Sequence, residues 1–129
     1  MADISVAIVN WNTREFLRDC LQSLQDNAGD LELQVIVVDN ASMDGSAEMV
    51  REQFPWAKLI ALEKNIGYAA GNNRALDYAT GEYVLLLNPD IVVRSGSLQT
   101  LHQFLENRPD AGAVAPRLRQ PDGSIQLSC

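Results

Sequence analysis

The chain has 129 residues, the commonest size for one domain around a single buried core, so a second domain is not expected. A composition of 47% hydrophobic and 21% charged residues excludes a disordered chain. The formal net charge of −7 argues against nucleic acid or an anionic membrane surface as the main partner, because both are bound through clustered Lys and Arg, and it fits a small ligand better.

No apolar run approaches the roughly 20 residues that cross a bilayer, and the N-terminus lacks a basic region followed by an apolar stretch and cleavage site. The expectation is a soluble, cytoplasmic chain. Cys20 and Cys129 are too few for a disulfide framework or a zinc site.

Extended and helical patterns alternate along the chain without repeats, which implies βαβ units. Strand one is Ile4 to Val9. The helix after it carries Phe16, Leu17, Cys20, Leu21 and Leu24 on one face, with Asn12 or Thr13 able to cap it, and Cys20 reads as core. Strand two is Leu33 to Val38. A turn from Asn40 to Ser46, rich in capping residues, leads into a helix with Ala47, Val50 and Phe54 inward, stopped by Pro55. Strand three, Ala57 to Leu62, runs through Glu63-Lys64-Asn65-Ile66-Gly67 into a helix with Ala69, Ala75, Leu76 and Ala79 inward and Gly81 as its C-cap. Strand four is Tyr83 to Leu87, the helix after it presents Leu98, Leu101 and Leu105, and Ala113-Val114-Ala115 reads as a short fifth strand. Right-handed crossovers make this a parallel sheet with helices on both faces, a Rossmann-like three-layer α/β/α domain over residues 1–129.

Val84-Leu85-Leu86-Leu87 is an apolar run of the kind found in strands buried on both faces, and it ends in Asn88-Pro89-Asp90. Open α/β sheets bind ligands just beyond the carboxyl ends of their strands, which is where Asp90 stands. An isolated Asn-Pro-Asp reads as a turn with Pro at its second position, but the buried run before it favours a site. Val35-Ile36-Val37-Val38 ends likewise in Asp39-Asn40, and strand one ends in Asn10-Trp11-Asn12. Asp39 and Asn40 suit a nucleobase edge or a ribose, and they equally suit turn and helix capping. Asp44 reads better as a cap.

Asn65, Gly67, Gly71, Asn72 and Asn73 gather at the start of the third helix, where free N–H groups and the positive dipole end favour a phosphate or ribose, and Arg74 could meet phosphate there. Trp11 suits either stacking on a base or a place in the core. No GxGxxG follows the first strand and there is no GxxxxGK[ST] loop. A diphosphate in an acidic crevice without a P-loop lysine needs a positive charge, which a divalent cation, Mg²⁺ or Mn²⁺, would bring on Asp90 with Asn88 beside it. His102, the one histidine, reads as a surface or structural residue away from the strand ends.

Asn10-Trp11-Asn12, the segment Val37-Val38-Asp39-Asn40-Ala41-Ser42 with Asp44-Gly45-Ser46, the run Asn65-Ile66-Gly67-Tyr68-Ala69-Ala70-Gly71-Asn72-Asn73 and Leu86-Leu87-Asn88-Pro89-Asp90 together resemble, in order, the motifs of family 2 glycosyltransferases of the GT-A fold. The likeness covers the whole chain. Within that family the chain is most similar to bacterial rhamnosyltransferase-like enzymes acting on cell-surface polysaccharides. The resemblance implies that Asp39 contacts the base of a nucleoside-diphosphate-sugar donor, such as dTDP-rhamnose, and that the residues around Asn10 and Asn12 line the same pocket. It also implies that Asn88-Pro89-Asp90 takes the place of the family's Asp-X-Asp motif. Asp90 then matches the metal-binding acid, whereas Asn88 departs from the first acid and brings no charge.

The implied reaction is inverting transfer to a saccharide or lipid-linked acceptor, whose hydroxyl attacks the anomeric carbon. It needs a general base, which in this family lies in a later segment. The expectation is therefore the donor-binding part of a longer enzyme, truncated at Cys129 and slow or silent by itself, with peripheral association at the inner face of the membrane open to the full-length enzyme. Pro116 to Ser124 reads as a hairpin with a Pro-Asp-Gly turn. Three rivals stand beside this reading. A catalytically silent nucleotide-binding module keeps the fold and drops the transfer. A receiver-like signalling domain needs paired acids where Asn10 and Asn12 stand and a lysine after the last strand. A nucleotidyltransferase needs a basic, glycine-rich loop where Asn-Trp-Asn stands.

Overall fold

A computed structural model describes residues 2–114, 118–119 and 125–126. Strands β1 (Ile4–Asn10), β2 (Leu33–Asp39), β3 (Lys58–Ala61) and β4 (Tyr83–Leu86) form one parallel sheet in the order β3-β2-β1-β4. Helices α1 (Arg14–Asn27), α2 (Ser46–Gln53), α3 (Tyr68–Leu76) and α4 (Ser97–Glu106) follow the strands in turn. The chain steps outward from β1 through β2 to β3, then returns to lay β4 on the other side of β1. Right-handed crossovers place the helices of the outward steps on one face and the helix of the return step on the other.

The packing follows that rule. Leu17, Cys20, Leu21 and Leu24 of α1, Met49 and Val50 of α2 and Leu98 of α4 pack with Ile4, Val6, Ile8, Val35 and Val37 on one face of the sheet. On the other face Ala75 of α3 packs with Ala7, Val9, Ile36 and Val38. The expected three-layer α/β/α architecture is therefore present, and β1, flanked by β2 and β4 and covered on both faces, is buried along its whole length. Each fully buried aliphatic side chain of this kind contributes about 1.5–3 kcal/mol.

Several expectations are corrected. The β4 segment is not buried on both faces. It is the outer strand of the described sheet, and Val84 and Leu86 are 46% and 53% exposed. They share the face of Ser5 and Ala7 by register, and α3 packs over β1 and β2. Phe16 does not join the inward face of α1 but stands 59% exposed in its first turn. Leu76 and Ala69 likewise face outward on α3.

Gly81 is not a helix cap, because α3 ends at Leu76. A Cβ at Gly81 would lie 2.6 Å from the Ser5 backbone nitrogen and 2.8 Å from its Oγ, so glycine is required there by the close approach of the chain to β1. Residues 113–114 carry no strand, and Ala115 lies outside the described residues. Instead β5 (Leu118–Arg119) and β6 (Ile125–Gln126) pair antiparallel at the expected hairpin, whose Pro-Asp-Gly turn is outside the described residues.

Candidate functional site

The strand order reverses direction at β1, with β2 on one side and β4 on the other. In open α/β sheets a crevice forms outside the carboxyl ends of the strands at such a switch point, because the loops after the two strands lead to opposite faces. The loop after β1 carries Asn10-Trp11-Asn12 and the loop after β4 carries Asn88-Pro89-Asp90, so these two sequence motifs flank the crevice.

Its floor is a buried polar knot. Asn10 and Asp39 are register partners at the carboxyl ends of β1 and β2, 0% and 3% exposed. Asn10 donates from Nδ2 to Asp39 Oδ1 at 3.0 Å and to Ser42 Oγ at 3.3 Å, and its own Oδ1 accepts from the Thr13 hydroxyl at 2.6 Å. Ser42 closes the ring: its hydroxyl donates to Asp39 Oδ1 at 2.7 Å and its backbone N–H to Asp39 Oδ2 at 3.0 Å. The asparagine and serine groups thus solvate a carboxylate that is almost wholly withdrawn from water, which is the condition for keeping one buried.

The β1 and β2 loops are then stitched together. The Asn12 N–H donates to Ser42 Oγ at 2.8 Å, and Asn12 Oδ1 accepts from the Met43 N–H at 2.8 Å. Asn12 has φ 53° and Ala41 has φ 61°, left-handed values that asparagine tolerates and alanine does not favour, so the strain sits in this loop pair. Trp11 between them is exposed at the mouth and is not part of the core.

Asn40 carries the knot to α3. It is buried, donates from Nδ2 to the Gly67 carbonyl at 3.1 Å and accepts on Oδ1 from the Ile66 N–H at 3.2 Å. Asn65 accepts from the Gly67 N–H at 2.8 Å, and Gly67 itself, at φ 87°, occupies the cap position. A Cβ at Gly71 would lie 2.8 Å from Val9 Cγ1 and 3.5 Å from Asn40 Nδ2, so this glycine is what lets α3 press against the strand end. Asn72 is buried, with its Oδ1 lacking any partner. Asn73 and Arg74 are exposed, and Arg74 stands in the last turn of α3, away from the helix start where a phosphate contact was expected.

Asn88 to Ile91 form a turn closed by the Ile91 N–H on the Asn88 carbonyl at 3.1 Å. The turn reading and the site reading of Asn-Pro-Asp therefore coincide: the turn leaves the Asn88 and Asp90 side chains exposed beyond β4. Tyr68, the first residue of α3, reaches across and donates its hydroxyl to Asn88 Oδ1 at 3.2 Å. The Cys20 thiol lies beneath, 3.9 Å from the Asn88 carbonyl, and burial with the negative charge of Asp90 pushes it up to about 12. It is a neutral core residue.

Asp44 takes the structural role. Its Oδ2 accepts from the Arg14 N–H at 2.9 Å and its Oδ1 from the Ser46 N–H and hydroxyl, so one carboxylate caps both α1 and α2. Thr13, at the cap position of α1, spends its hydroxyl on Asn10 instead. Ser42 and Tyr68 are the residues that sequence reasoning left without a role. Ser42 had a local signal, a hydroxyl three residues after an acid, whereas the Tyr68–Asn88 contact spans 20 residues and had none. His102, expected as a surface or structural residue, has its ligand atom within 4.8 Å of those of Glu82 and Glu106. That group lies at the amino end of β4, the opposite end from Asp90.

A sequence profile of Glycosyl transferase family 2 matches residues 5–127. The chain belongs to this family. It is 29% identical over 140 residues to an N-acetylglucosaminyl-diphospho-decaprenol L-rhamnosyltransferase of Mycobacterium tuberculosis, with 99% of this chain and 45% of that protein covered. The chain thus spans less than half the length of the curated relatives it matches. Among solved structures it resembles TarS of S. aureus in complex with UDP-GlcNAc, with TM-score 0.74 and 26% identity over 83% of this chain and 32% of that one. It also resembles the mannosyltransferase PcManGT of Pyrobaculum calidifontis in complex with GDP-Man and Mn²⁺, with TM-score 0.74 and 25% identity over 94% of this chain and 36% of that one. The fold is accordingly GT-A, as the motifs implied, and the family is one of transferases of sugars. No helix among the described residues is long and apolar enough to cross a membrane.

Proposed function

We propose that this chain is a donor-binding glycosyltransferase domain that holds a nucleoside-diphosphate-sugar across the crevice between β1 and β4, for inverting transfer to a saccharide or lipid-linked acceptor in polysaccharide biosynthesis. The observation that carries the proposal is the pairing of a buried, presolvated Asp39 on one wall with an exposed Asn88-Pro89-Asp90 turn on the other. A carboxylate has about four acceptor sites. Asn10 and Ser42 occupy three of those of Asp39, which leaves one on Oδ2 for an N–H donor. Uracil, thymine and guanine offer a ring N–H to such an acceptor, and cytosine and adenine do not. Exposed Trp11 would stack on the base, and Asn12, Asn65, Gly67, Gly71, Asn72 and Asn73 would line the approach to ribose and phosphate, with Arg74 too far along α3 to join them.

The donor set on the opposite wall is one carboxylate, one amide oxygen and backbone carbonyls, all hard oxygen ligands, and it suits Mg²⁺ or Mn²⁺ shared with substrate phosphates. Asp90 would hold the ion, with Asn88 orienting a water or the ribose. Such an ion supplies positive charge to the departing diphosphate. The protein's own part is positioning: the β-turn fixes Asp90, Tyr68 steadies Asn88, and the knot fixes the base. The similarity to the M. tuberculosis L-rhamnosyltransferase favours rhamnose as the sugar, for which dTDP-rhamnose is the donor proposed. The reading is tested by thermal shift with dTDP-, UDP- and GDP-sugars against CDP- and ADP-sugars in Mn²⁺. A rise confined to one of the first three is expected, and equal or absent responses across all five would contradict it.

A further inference from the structure

The geometry points to a second metal site, unrelated to the donor, at which Glu82, His102 and Glu106 bind one Zn²⁺ at the amino end of β4. The ligand atoms of the three side chains lie within 4.8 Å of one another. His102 and Glu106 are one helical turn apart on α4, with Nε2 and Oε1 3.4 Å apart. That distance is too long for a good charge-assisted hydrogen bond, and Nε2 is buried with no hydrogen-bond partner. It is, however, the separation of two donors held about 2.0–2.1 Å from one tetrahedral ion, which is about 3.4 Å.

The surroundings support an ion over a simple pair. Among the described residues no Lys or Arg pairs with Glu82 or Glu106. The Tyr83 ring stands edge-on to the imidazole at 5.5 Å and 84°, and its hydroxyl faces both Glu82 and Glu106. A depression of about 560 Å³ beside the group, bounded by Gly29, Asp30, Gln99 and Glu106, leaves room for a water as fourth ligand. Gln99 lines it with another buried polar atom that has no partner, Oε1, while its amide nitrogen donates to the Ala28 carbonyl at 2.8 Å. One imidazole and two carboxylates suit a borderline ion such as Zn²⁺, with three protein ligands and one open position. Glu82 precedes β4 directly, so the ion would fasten α4 to the start of the sheet's outer strand.

Co²⁺ replaces Zn²⁺ in such sites and reports coordination by its visible absorption. The full chain, titrated with Co²⁺, is expected to take up one ion with the intense bands of four-coordinate cobalt and to gain thermal stability with added metal. His102→Gln and Glu106→Gln each weaken that binding by about tenfold or more and abolish the bands, whereas Asp90→Ala leaves them unchanged. Glu82→Gln, at an exposed position, reads the same loss without risk to the helix packing. No four-coordinate spectrum, or one that survives in His102→Gln and Glu82→Gln, would overturn the assignment. A spectrum lost only in Asp90→Ala would do so too.

Discussion

Asn10 Nδ2 and Asp39 Oδ1 meet at 3.0 Å as register partners at the carboxyl ends of two adjacent parallel strands. The parallel register alone would bring two side chains to this level, but only an amide opposite an acid lets both be buried. Asn10→Ala removes the donor and leaves Asp39, Ser42 and Thr13 short of a partner. A loss of about 1–3 kcal/mol in urea unfolding is expected, together with weaker nucleotide binding. Full stability in the variant would show that the knot is not a constraint on the fold.

Gly71 tests how α3 is seated. Gly71→Ala places a methyl 2.8 Å from Val9 Cγ1 and beside the Asn40 amide. Overpacking of this sort costs about 1–3 kcal/mol. Displacing α3 also moves Gly67 and Ile66, which Asn40 holds. The variant should therefore lose donor affinity in excess of its lost stability, and chemical shifts of the Asn40 side-chain amide would record the movement.

Asp44 sets an acid limit. Burial acts to raise its pKa, but hydrogen bonds from the Ser46 hydroxyl and from the Arg14 and Ser46 N–H groups outweigh this and hold it below the ordinary carboxylate value. A carboxyl depressed on folding contributes stability above its unfolded pKa of about 3.9 and loses it as pH falls through the folded value. The Tm gap between the wild type and Asp44→Asn should be full near neutral pH and close as pH drops below about 4. A gap of constant size from neutral to acid pH would place the stabilisation elsewhere.

Tyr68→Phe separates positioning from folding. The hydroxyl bonds Asn88 at an exposed position, so its removal should change folding stability little, within about 0.5 kcal/mol. Metal-dependent nucleotide affinity should fall, because Asn88 loses its tether, while metal-free affinity holds. An equal fall in both would assign Tyr68 a direct contact with the nucleotide instead.

Much of this architecture was legible from local pattern. The runs Ile4 to Val9 and Leu33 to Val38 are apolar apart from Ser5 and Gln34 because β1 and β2 are covered on both faces, and polar residues at their ends marked the crevice. The same pattern misled at β4, where Val84 and Leu86 lie on an open face: a run of apolar residues records composition, and burial is decided by which helix covers it. Phe16 misled similarly at a helix start. Gly81 was read as a cap because glycine after a helix usually is one, whereas here the constraint is Ser5, distant in sequence. The Glu82, His102 and Glu106 group was invisible for the same reason, since strand and helix meet only in the folded chain.

The central claim is that Asp90 couples a metal ion to a nucleoside diphosphate bound over Asp39. Calorimetric titration of dTDP, UDP and GDP, each with and without Mn²⁺, into the wild-type chain and Asp90→Ala tests it most directly. The account expects one nucleotide to bind, with an affinity at least about tenfold higher in Mn²⁺, and expects Asp90→Ala, with its exposed side chain, to keep its Tm and lose that gain. Binding that ignores Mn²⁺, or a gain that survives in Asp90→Ala, would contradict it.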